Sequence, residues 1–230
     1  LHLDHVLGIF GLLETYRLNN REEKLTIVGP NISRLFKQFV HNKYPFLELI
    51  DVKEDGIVYK ERSFNVHAFR TYHTTVSFGF IVEEKPRLKF NKQLCEKLGI
   101  KGVMFSQLEK RGSLKVNGRV VNLSDVSYWV SGRKVAYLGD TIPHESIISK
   151  IVGSDVLIAD STYSNEHEEM AREKMHSTAQ QAAEMAKSAN VKQLVLTHIS
   201  QRYKDPSILL KEAKSVFENT ICAWDGLIIN

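Results

Sequence analysis

The chain opens with Leu1-His2-Leu3-Asp4-His5, which has the form of the last five residues of a His-x-His-x-Asp-His metal motif. Alternate side chains of an extended backbone point to one face. We therefore expect an extended stretch in which His2 and Asp4 aim at one point, with His5 beside them. Two imidazoles and a carboxylate so close together suit a borderline divalent cation such as zinc. A polar strand end with two ordinary histidines is an equally open interpretation of these residues.

Three further polar residues each follow an apolar run that we interpret as a buried strand. They are His73 in Tyr72-His73-Thr74-Thr75, Asp140 in Leu138-Gly139-Asp140-Thr141, and His198 in Leu196-Thr197-His198-Ile199-Ser200. Open α/β sheets carry their ligand-binding groups at the carboxyl ends of the strands. We therefore predict an α/β fold in which these three side chains converge on the opening motif.

A fourth polar stretch, His176-Ser177-Thr178, precedes a run of alanines at helical spacing. Ser177 and Gln180 fit a capping box at the start of that helix. His176 would then lie just ahead of a helix N-terminus, where free backbone N–H groups favour a phosphate. It is either a catalytic residue or a polar residue before the cap. We interpret the remaining histidines as structural: His41, His67, His144 and His167.

Length and composition indicate an ordinary globular chain of one domain. The chain has 230 residues and a net charge of +4, from 31 basic and 27 acidic residues, enough for a substantial core. No apolar run is long enough to cross a bilayer and no secretion signal is recognisable, so we expect a cytoplasmic protein with no membrane partner. Cys95 and Cys222 lie far apart, and we expect both to be reduced.

Basic residues are concentrated between residues 83 and 118. From Lys85 to Arg119 there are ten Lys or Arg residues, with only Glu96 and Glu109 as acids. A local cationic surface can bind a phosphate backbone even when the whole protein is only mildly basic, although a solvated charged surface is the alternative. The candidate contacts with a phosphate backbone are Lys85, Arg87, Lys89, Lys110, Arg111 and, near the end of the chain, Arg202, which could instead pair with a carboxylate.

The order and spacing of these motifs resemble the metallo-β-lactamase superfamily and, within it, the ribonuclease Z family of endonucleases that remove 3′ trailers from precursor tRNA. Ala223-Trp224-Asp225-Gly226 at the end of the chain adds to the resemblance. One departure is Ala159-Asp160-Ser161-Thr162, where many members have His-Glu-Ala-Thr. The carboxylate is retained there and the His is not.

The resemblance implies an αβ/βα sandwich and a single domain over residues 1–230. It also implies that strands and the first motif His precede Leu1, so we expect an N-terminally incomplete chain. Residues 83–118 would form an inserted basic arm, an exosite that grips tRNA, and the protein would be a homodimer. The arm departs in detail from the family pattern, since Gly102-Val103 lacks the usual Gly-Pro.

A site with two zinc ions is also implied. His2 and His73 would bind one ion, Asp4, His5 and His198 the other, and Asp140 would bridge them. Cleavage would leave a 3′-hydroxyl on the tRNA and a 5′-phosphate on the trailer. Asp4 would orient or deprotonate the nucleophile, and His176 would stabilise charge on the phosphorane or protonate the leaving oxygen.

Two other functions remain open from the sequence. The first is a different hydrolase on the same fold, acting on a thioester, a lactam or a small phosphodiester, because a fold does not fix a function. The second is a noncatalytic tRNA-binding subunit whose metal site has decayed.

Overall fold

A computed structural model describes residues 2–39 and 44–229, so the structural role predicted for His41 lies outside the described residues. The helices are Leu3–Leu18 (α1), Ile32–Phe39 (α2), Lys92–Leu98 (α3), Met104–Arg111 (α4), Leu123–Val126 (α5), Glu145–Ile151 (α6), Glu168–Lys174 (α7), Ala179–Ser188 (α8) and Ser207–Val216 (α9). The strands are Leu25–Gly29 (β1), Leu47–Asp51 (β2), Gly56–Lys60 (β3), Phe64–Tyr72 (β4), Val76–Glu84 (β5), Arg87–Phe90 (β6), Ser113–Val116 (β7), Arg119–Asn122 (β8), Ser127–Val130 (β9), Lys134–Tyr137 (β10), Val156–Asp160 (β11), Gln193–Thr197 (β12) and Thr220–Cys222 (β13).

The chain divides into two compact units. The main unit comprises residues 1–83 and 134–230, and the small unit comprises residues 84–133. The segment predicted as an inserted arm, residues 83–118, falls almost entirely within the small unit. In the part of the chain that the structure describes, no helix is long and apolar enough to span a membrane.

A seven-stranded sheet forms the centre of the main unit, in the order β13-β12-β11-β10-β5-β4-β3. The strands from β10 to β13 are parallel, and β5 runs antiparallel to β10. Strands β4 and β5 are neighbours joined by only residues 73–75, so β4 runs in the same direction as β10. The carboxyl ends of β4, β10, β11 and β12 therefore lie along one edge of the sheet, which is where the predicted site residues follow.

Both faces of this sheet are covered. Neighbouring residues of a strand point to opposite sides, so the same strands contribute to a core on each face. Phe69 and Ile81 contribute to a core with the alanines of α8 and residues of α6 and α9. On the other face, Ala68 and Phe78 pack with Val28 of β1 and with Val52. Strands β1 and β2 pair in parallel, and their cluster with α1 and α2 completes this second layer. The predicted αβ/βα sandwich is confirmed.

The small unit has its own hydrophobic core. Cys95, Ile100, Leu108, Val116, Val121 and Val126 are buried together there. Two antiparallel pairs, β6 with β9 and β7 with β8, surround this core together with α3 to α5. The basic residues lie on the surface of a folded element rather than in an irregular loop.

The expected extended conformation of the opening motif is wrong. Only His2 has an extended backbone, with φ −78° and ψ 143°, and α1 begins at Leu3. The reason is that residues 3–18 form one continuous helix whose first backbone bond runs from His5 N to His2 O over 3.2 Å. The alternation rule for strands therefore does not apply to His2, Asp4 and His5.

The predicted capping box is also displaced by one residue. Helix α8 begins at Ala179, and the reciprocal pair is Thr178 with Gln181. Ser177 cannot cap the helix because its hydroxyl is buried and donates to the carbonyl of Thr141 over 2.6 Å.

Candidate metal centre

Asp140 is the centre of the candidate site. It follows β10 by way of Leu138 and Gly139, and Gly139 turns the chain with a φ of +65°, a conformation that glycine adopts without strain. The Asp140 side chain is 9% exposed. Its Oδ2 lies 3.1 Å from Nε2 of His5, and its Oδ1 lies 3.5 Å from Nε2 of His198. One carboxylate thus faces imidazoles from two separate elements.

His73 approaches the same carboxylate from the end of β4. Its Nε2 is 3.8 Å from Asp140 Oδ2 and 3.4 Å from Nδ1 of His2. Its Nδ1 is 2.8 Å from the backbone carbonyl of Met175, which can only accept, so Nδ1 carries the proton. Such a bond leaves Nε2 as the free ligand atom, which is the usual arrangement of a metal-binding histidine.

His198 reaches the site through an unusual backbone conformation. It has a φ of +56°, in the left-handed region, which costs roughly 1–2 kcal/mol for a residue with a side chain. Such outliers concentrate at functional sites. The side chain is fixed by a 2.8 Å contact between Nδ1 and the hydroxyl of Thr162, which directs Nε2 towards Asp140.

The helical start of the chain explains how His2 and His5 share one target. Residues three apart lie on the same side of a helix, so both rings face the strand ends, with ring centroids 4.9 Å from His73 for His2 and 5.5 Å from His198 for His5. Asp4 is 75% exposed and lies 3.7 Å from Nε2 of His5. The structure therefore brings His2, His5, His73, Asp140 and His198 together and leaves the carboxylate of Asp4 at the rim.

A second, buried pair lies beside this cluster. Nδ1 of His176 is 2.7 Å from Oδ2 of Asp160, whose side chain is fully buried. Asp160 also accepts hydrogen bonds from the backbone N–H of Thr141 at 3.2 Å and from the backbone N–H and hydroxyl of Thr162 at 3.0 and 2.6 Å. The His176 ring lies 4.9 Å from His73 and 5.1 Å from His198 between centroids.

The charge of Asp160 changes the protonation of His176. Burial lowers the pKa of His176, but the hydrogen bond that His176 donates to Asp160, the charge of Asp160 and the charge of Asp140 together raise the pKa above the ordinary value of histidine. Sequence reasoning noticed the carboxylate at Asp160 but gave it no role. The available signal was its position at the end of β11, the same edge that delivers Asp140 and His198.

The donor atoms fit a borderline divalent cation. Ligand atoms of His2, His73 and Asp140 all lie within 4.8 Å of one another, and the same holds for Asp140, Asp160, His176 and His198. In the second group Asp160 already accepts four hydrogen bonds, so its lone pairs are engaged. We therefore regard the imidazoles around Asp140 as the ligand set and Asp160 with His176 as a separate proton-transfer pair.

The other histidines make local contacts in the main unit. His67 lies 3.3 Å from Glu83, His144 accepts from the backbone N–H of Ser146 and caps α6, and His167 contacts Tyr203. None of the three belongs to a metal-binding group among the residues that the structure describes. These contacts agree with the structural roles expected for them.

The predicted RNA-binding residues are all exposed. Five lie in the small unit, just before or on β6 and at the end of α4: Lys85, Arg87, Lys89, Lys110 and Arg111. Arg202, in the main unit, contacts the Ser200 hydroxyl at 3.2 Å and lies 5.0 Å above the Tyr163 ring. In the described part of the chain its guanidinium makes no ion pair with a carboxylate, so that alternative finds no support.

Comparison with known proteins first defines the class. A family model described as a β-lactamase superfamily domain matches residues 97–199. The structure of the metallo-β-lactamase fold protein YhfI from Bacillus subtilis superposes with a TM-score of 0.68 at 18% identity, over 99% of this chain and 73% of that one. With the sheet order and the covered faces, this chain has the metallo-β-lactamase fold.

Two further relatives identify the family. The ribonuclease Z of Archaeoglobus fulgidus is 42% identical, over 98% of this chain and 76% of that protein. The crystal structure of the short form of human tRNase Z superposes with a TM-score of 0.64 at 25% identity, over 100% of this chain and 76% of that one. The chain belongs to the ribonuclease Z family.

Proposed function

We propose that this protein is a metal-dependent endoribonuclease that removes the 3′ trailer of precursor tRNA. The observation that carries the proposal is the convergence of four imidazoles on the Asp140 carboxylate, with the buried pair of Asp160 and His176 directly alongside. Family membership supports the substrate class. A phosphodiester hydrolase needs an electrophilic centre for the phosphate and a proton donor for the leaving oxygen, and the two clusters supply places for both.

The ligand set suits two zinc ions. His2 and His73 with Asp140 would hold one, and His5 and His198 with Asp140 would hold the other, completed by Asp4. Bound zinc supplies a Lewis acid for the phosphate oxygens and lowers the pKa of water. The exposure of Asp4 leaves its carboxylate accessible to an attacking water, so we assign it the role of orienting or deprotonating that water.

His176 is the proton donor to the leaving oxygen. Its Nδ1 is bound to Asp160, which leaves Nε2 to face the substrate. Burial lowers the pKa of His176, but the hydrogen bond to Asp160 and the charges of Asp160 and Asp140 raise it. Protonation of the 3′ oxygen leaves a 3′-hydroxyl on the tRNA body and a 5′-phosphate on the trailer. Asp160 keeps a proton on Nδ1, so that Nε2 is the atom that gives up its proton.

We also propose that the small unit acts as a tRNA-binding arm. Its exposed Lys and Arg residues supply a cationic surface for the phosphate backbone, and Arg202 adds a cation in the main unit. We also propose a homodimer. Because precursor tRNA is the substrate, we propose a cytoplasmic location.

Incubation with a precursor tRNA carrying a 3′ extension tests the proposal. We expect cleavage at one position that stops with chelator and returns with zinc, and end-group analysis should find a 3′-hydroxyl on the tRNA and a 5′-phosphate on the trailer. Metal analysis of the same sample should give close to two zinc ions per chain. Intact precursor in a zinc-loaded sample would contradict the proposal and would favour the noncatalytic tRNA-binding subunit if the tRNA is still bound.

A further inference from the structure

A cavity of about 500 Å³ opens beside His176 in the main unit. Its lining includes two apolar residues that follow Asp140 in the chain, three charged residues of α7 and the proton donor itself: Ile142, Pro143, Glu168, Glu169, Arg172 and His176. The volume is in the range of a site for a small molecule or a single nucleotide. The described residues that line it include none of the imidazoles around Asp140.

The position of His176 determines which part of a substrate can enter the cavity. Its ring stands next to His73 and His198, with centroids 4.9 and 5.1 Å away, and it is also part of the cavity wall. The ring thus separates the candidate metal centre from the cavity. A group that takes a proton from His176 must lie against this ring, and the rest of that group can extend into the cavity.

Charge in the lining favours a neutral ligand over a phosphate. Two carboxylates face two cations, the Arg172 guanidinium and the proton-donating His176 ring, so the lining carries no net positive charge that would attract a phosphodiester. Glu168 accepts a hydrogen bond from Gln181 at 3.2 Å. Glu169 and Arg172, three residues apart on α7, are both exposed, and no side-chain partner of either is found among the described residues. They are free to supply one acceptor and one donor to a ligand.

We propose that this cavity holds the base of the nucleotide on the 5′ side of the cut, which is the last nucleotide of the tRNA body. The inference rests on the proposed function, because His176 then protonates the 3′ oxygen of that nucleotide and its ribose must lie beside the ring. The base packs on Ile142 and Pro143, Glu169 accepts from its exocyclic amino group, and Arg172 donates to a ring nitrogen or a carbonyl oxygen. Proteins read unstacked RNA bases by such edge contacts.

Glu169 therefore gives the enzyme a preference for bases that carry an amino group. Carboxylates recognise the amino group of cytosine in this way, and adenine and guanine also have one, whereas uracil does not. We expect precursors with adenine, guanine or cytosine before the cut to be cleaved about tenfold faster than the uracil precursor, within the discrimination of one to three kcal/mol that a good base contact supplies.

Four precursor tRNAs that differ only at this base test the inference. Single-turnover rates should show the tenfold preference in the natural protein, and Glu169→Ala should reduce it to about twofold or less. Glu173→Ala is the matched control, because Glu173 is on the same helix, its side chain is 74% exposed and it does not line the cavity. Arg172→Ala should slow all four substrates, with Lys174→Ala as its control.

A binding measurement separates this inference from the proposed function. The probe is a fluorescent tRNA body that ends at the last nucleotide, with adenine or uracil there, bound to zinc-loaded and chelated protein. If cleavage fails but the affinity still depends on the terminal base and on Glu169, the proposed function is wrong and the base pocket stands. If the precursors are cleaved and neither rate nor affinity depends on the base, or Glu173→Ala has the same effect as Glu169→Ala, the base pocket is wrong.

Discussion

Replacement of Asp160 by Asn separates the charge of this buried residue from its shape. The carboxylate accepts from the N–H and hydroxyl of Thr162 at Oδ1, and from the N–H of Thr141 and Nδ1 of His176 at Oδ2. Asn has the same size but offers one oxygen and one NH₂ group. The substitution therefore leaves the packing unchanged and turns half of the acceptor into a donor.

The cost to stability follows from the two orientations of the new amide. With its nitrogen on the Oδ1 side, the amide faces the N–H of Thr162, and with its nitrogen on the Oδ2 side it faces the N–H of Thr141. The Thr162 hydroxyl or the His176 ring can change role to accept, but one buried backbone N–H stays unpaired in either case. We expect a loss of about 2 kcal/mol, which lowers the melting temperature of a chain of this size by about 4–8 °C.

The effect on activity should be larger than the effect on stability. Without the negative charge of Asp160, burial lowers the pKa of His176 and the imidazolium is lost as a proton donor. We expect the single-turnover rate of precursor cleavage to fall by about 100- to 1,000-fold, with zinc content unchanged. The rate should be measured at saturating enzyme, below the lowered melting temperature, with zinc determined on the same preparation.

Asp155→Asn is the matched control. Asp155 also accepts a backbone N–H, that of Lys134 at 2.7 Å, and pairs with Lys192 at 2.6 Å, but it lies at the other end of β11. Its replacement should lower stability and leave cleavage intact. The reasoning is refuted if Asp160→Asn melts at a lower temperature yet cleaves at the natural rate. Loss of zinc in this variant would instead mean that Asp160 acts by positioning His198 through Thr162.

Three further predictions follow from the same geometry. His176→Ala should slow cleavage by about 100-fold or more while zinc content stays the same, and an unchanged rate would remove His176 from proton transfer. In chelated protein, the raised pKa of His176 means that its pairing with Asp160 stabilises the fold fully below about pH 6.5 and loses this effect as the pH rises through the raised pKa. In urea unfolding, the difference in free energy of unfolding between the natural protein and Asp160→Asn should shrink over that range. A difference that does not depend on pH would contradict this prediction. Gly79→Ala should cost about 2 kcal/mol, because a β-carbon there would lie 2.5 Å from the Phe69 ring and 3.0 Å from the Tyr137 carbonyl. Gly8→Ala, in open space on α1, should unfold at the same or a higher urea concentration, and equal stability of both variants would show that the Phe69 contact is not rigid.

The strands that deliver the site were predictable because their signals are local. Each apolar run before His73, Asp140 and His198 is long enough to form a buried strand, and the structure has β4, β10 and β12 there. The conformation of the opening motif was not predictable from the same rule. His2 and His5 reach Asp140 because His2 is the N-cap residue of α1 and His5 lies in its first turn. Five residues cannot show by their pattern whether they continue into a helix or a strand.

The sequence by itself determined the identities of the donor atoms, their places after apolar runs and the concentration of positive charge between residues 83 and 118. These depend on side-chain chemistry and on neighbours along the chain. Only the tertiary structure decided that Asp160 holds His176, that Met175 orients His73 through its carbonyl, and that Arg172 and Glu169 border a cavity beside the proton donor. The physical reason is that such contacts join residues from different strands and loops, whose distances are fixed by packing and by the backbone turns at Gly139 and His198, and not by spacing along the chain.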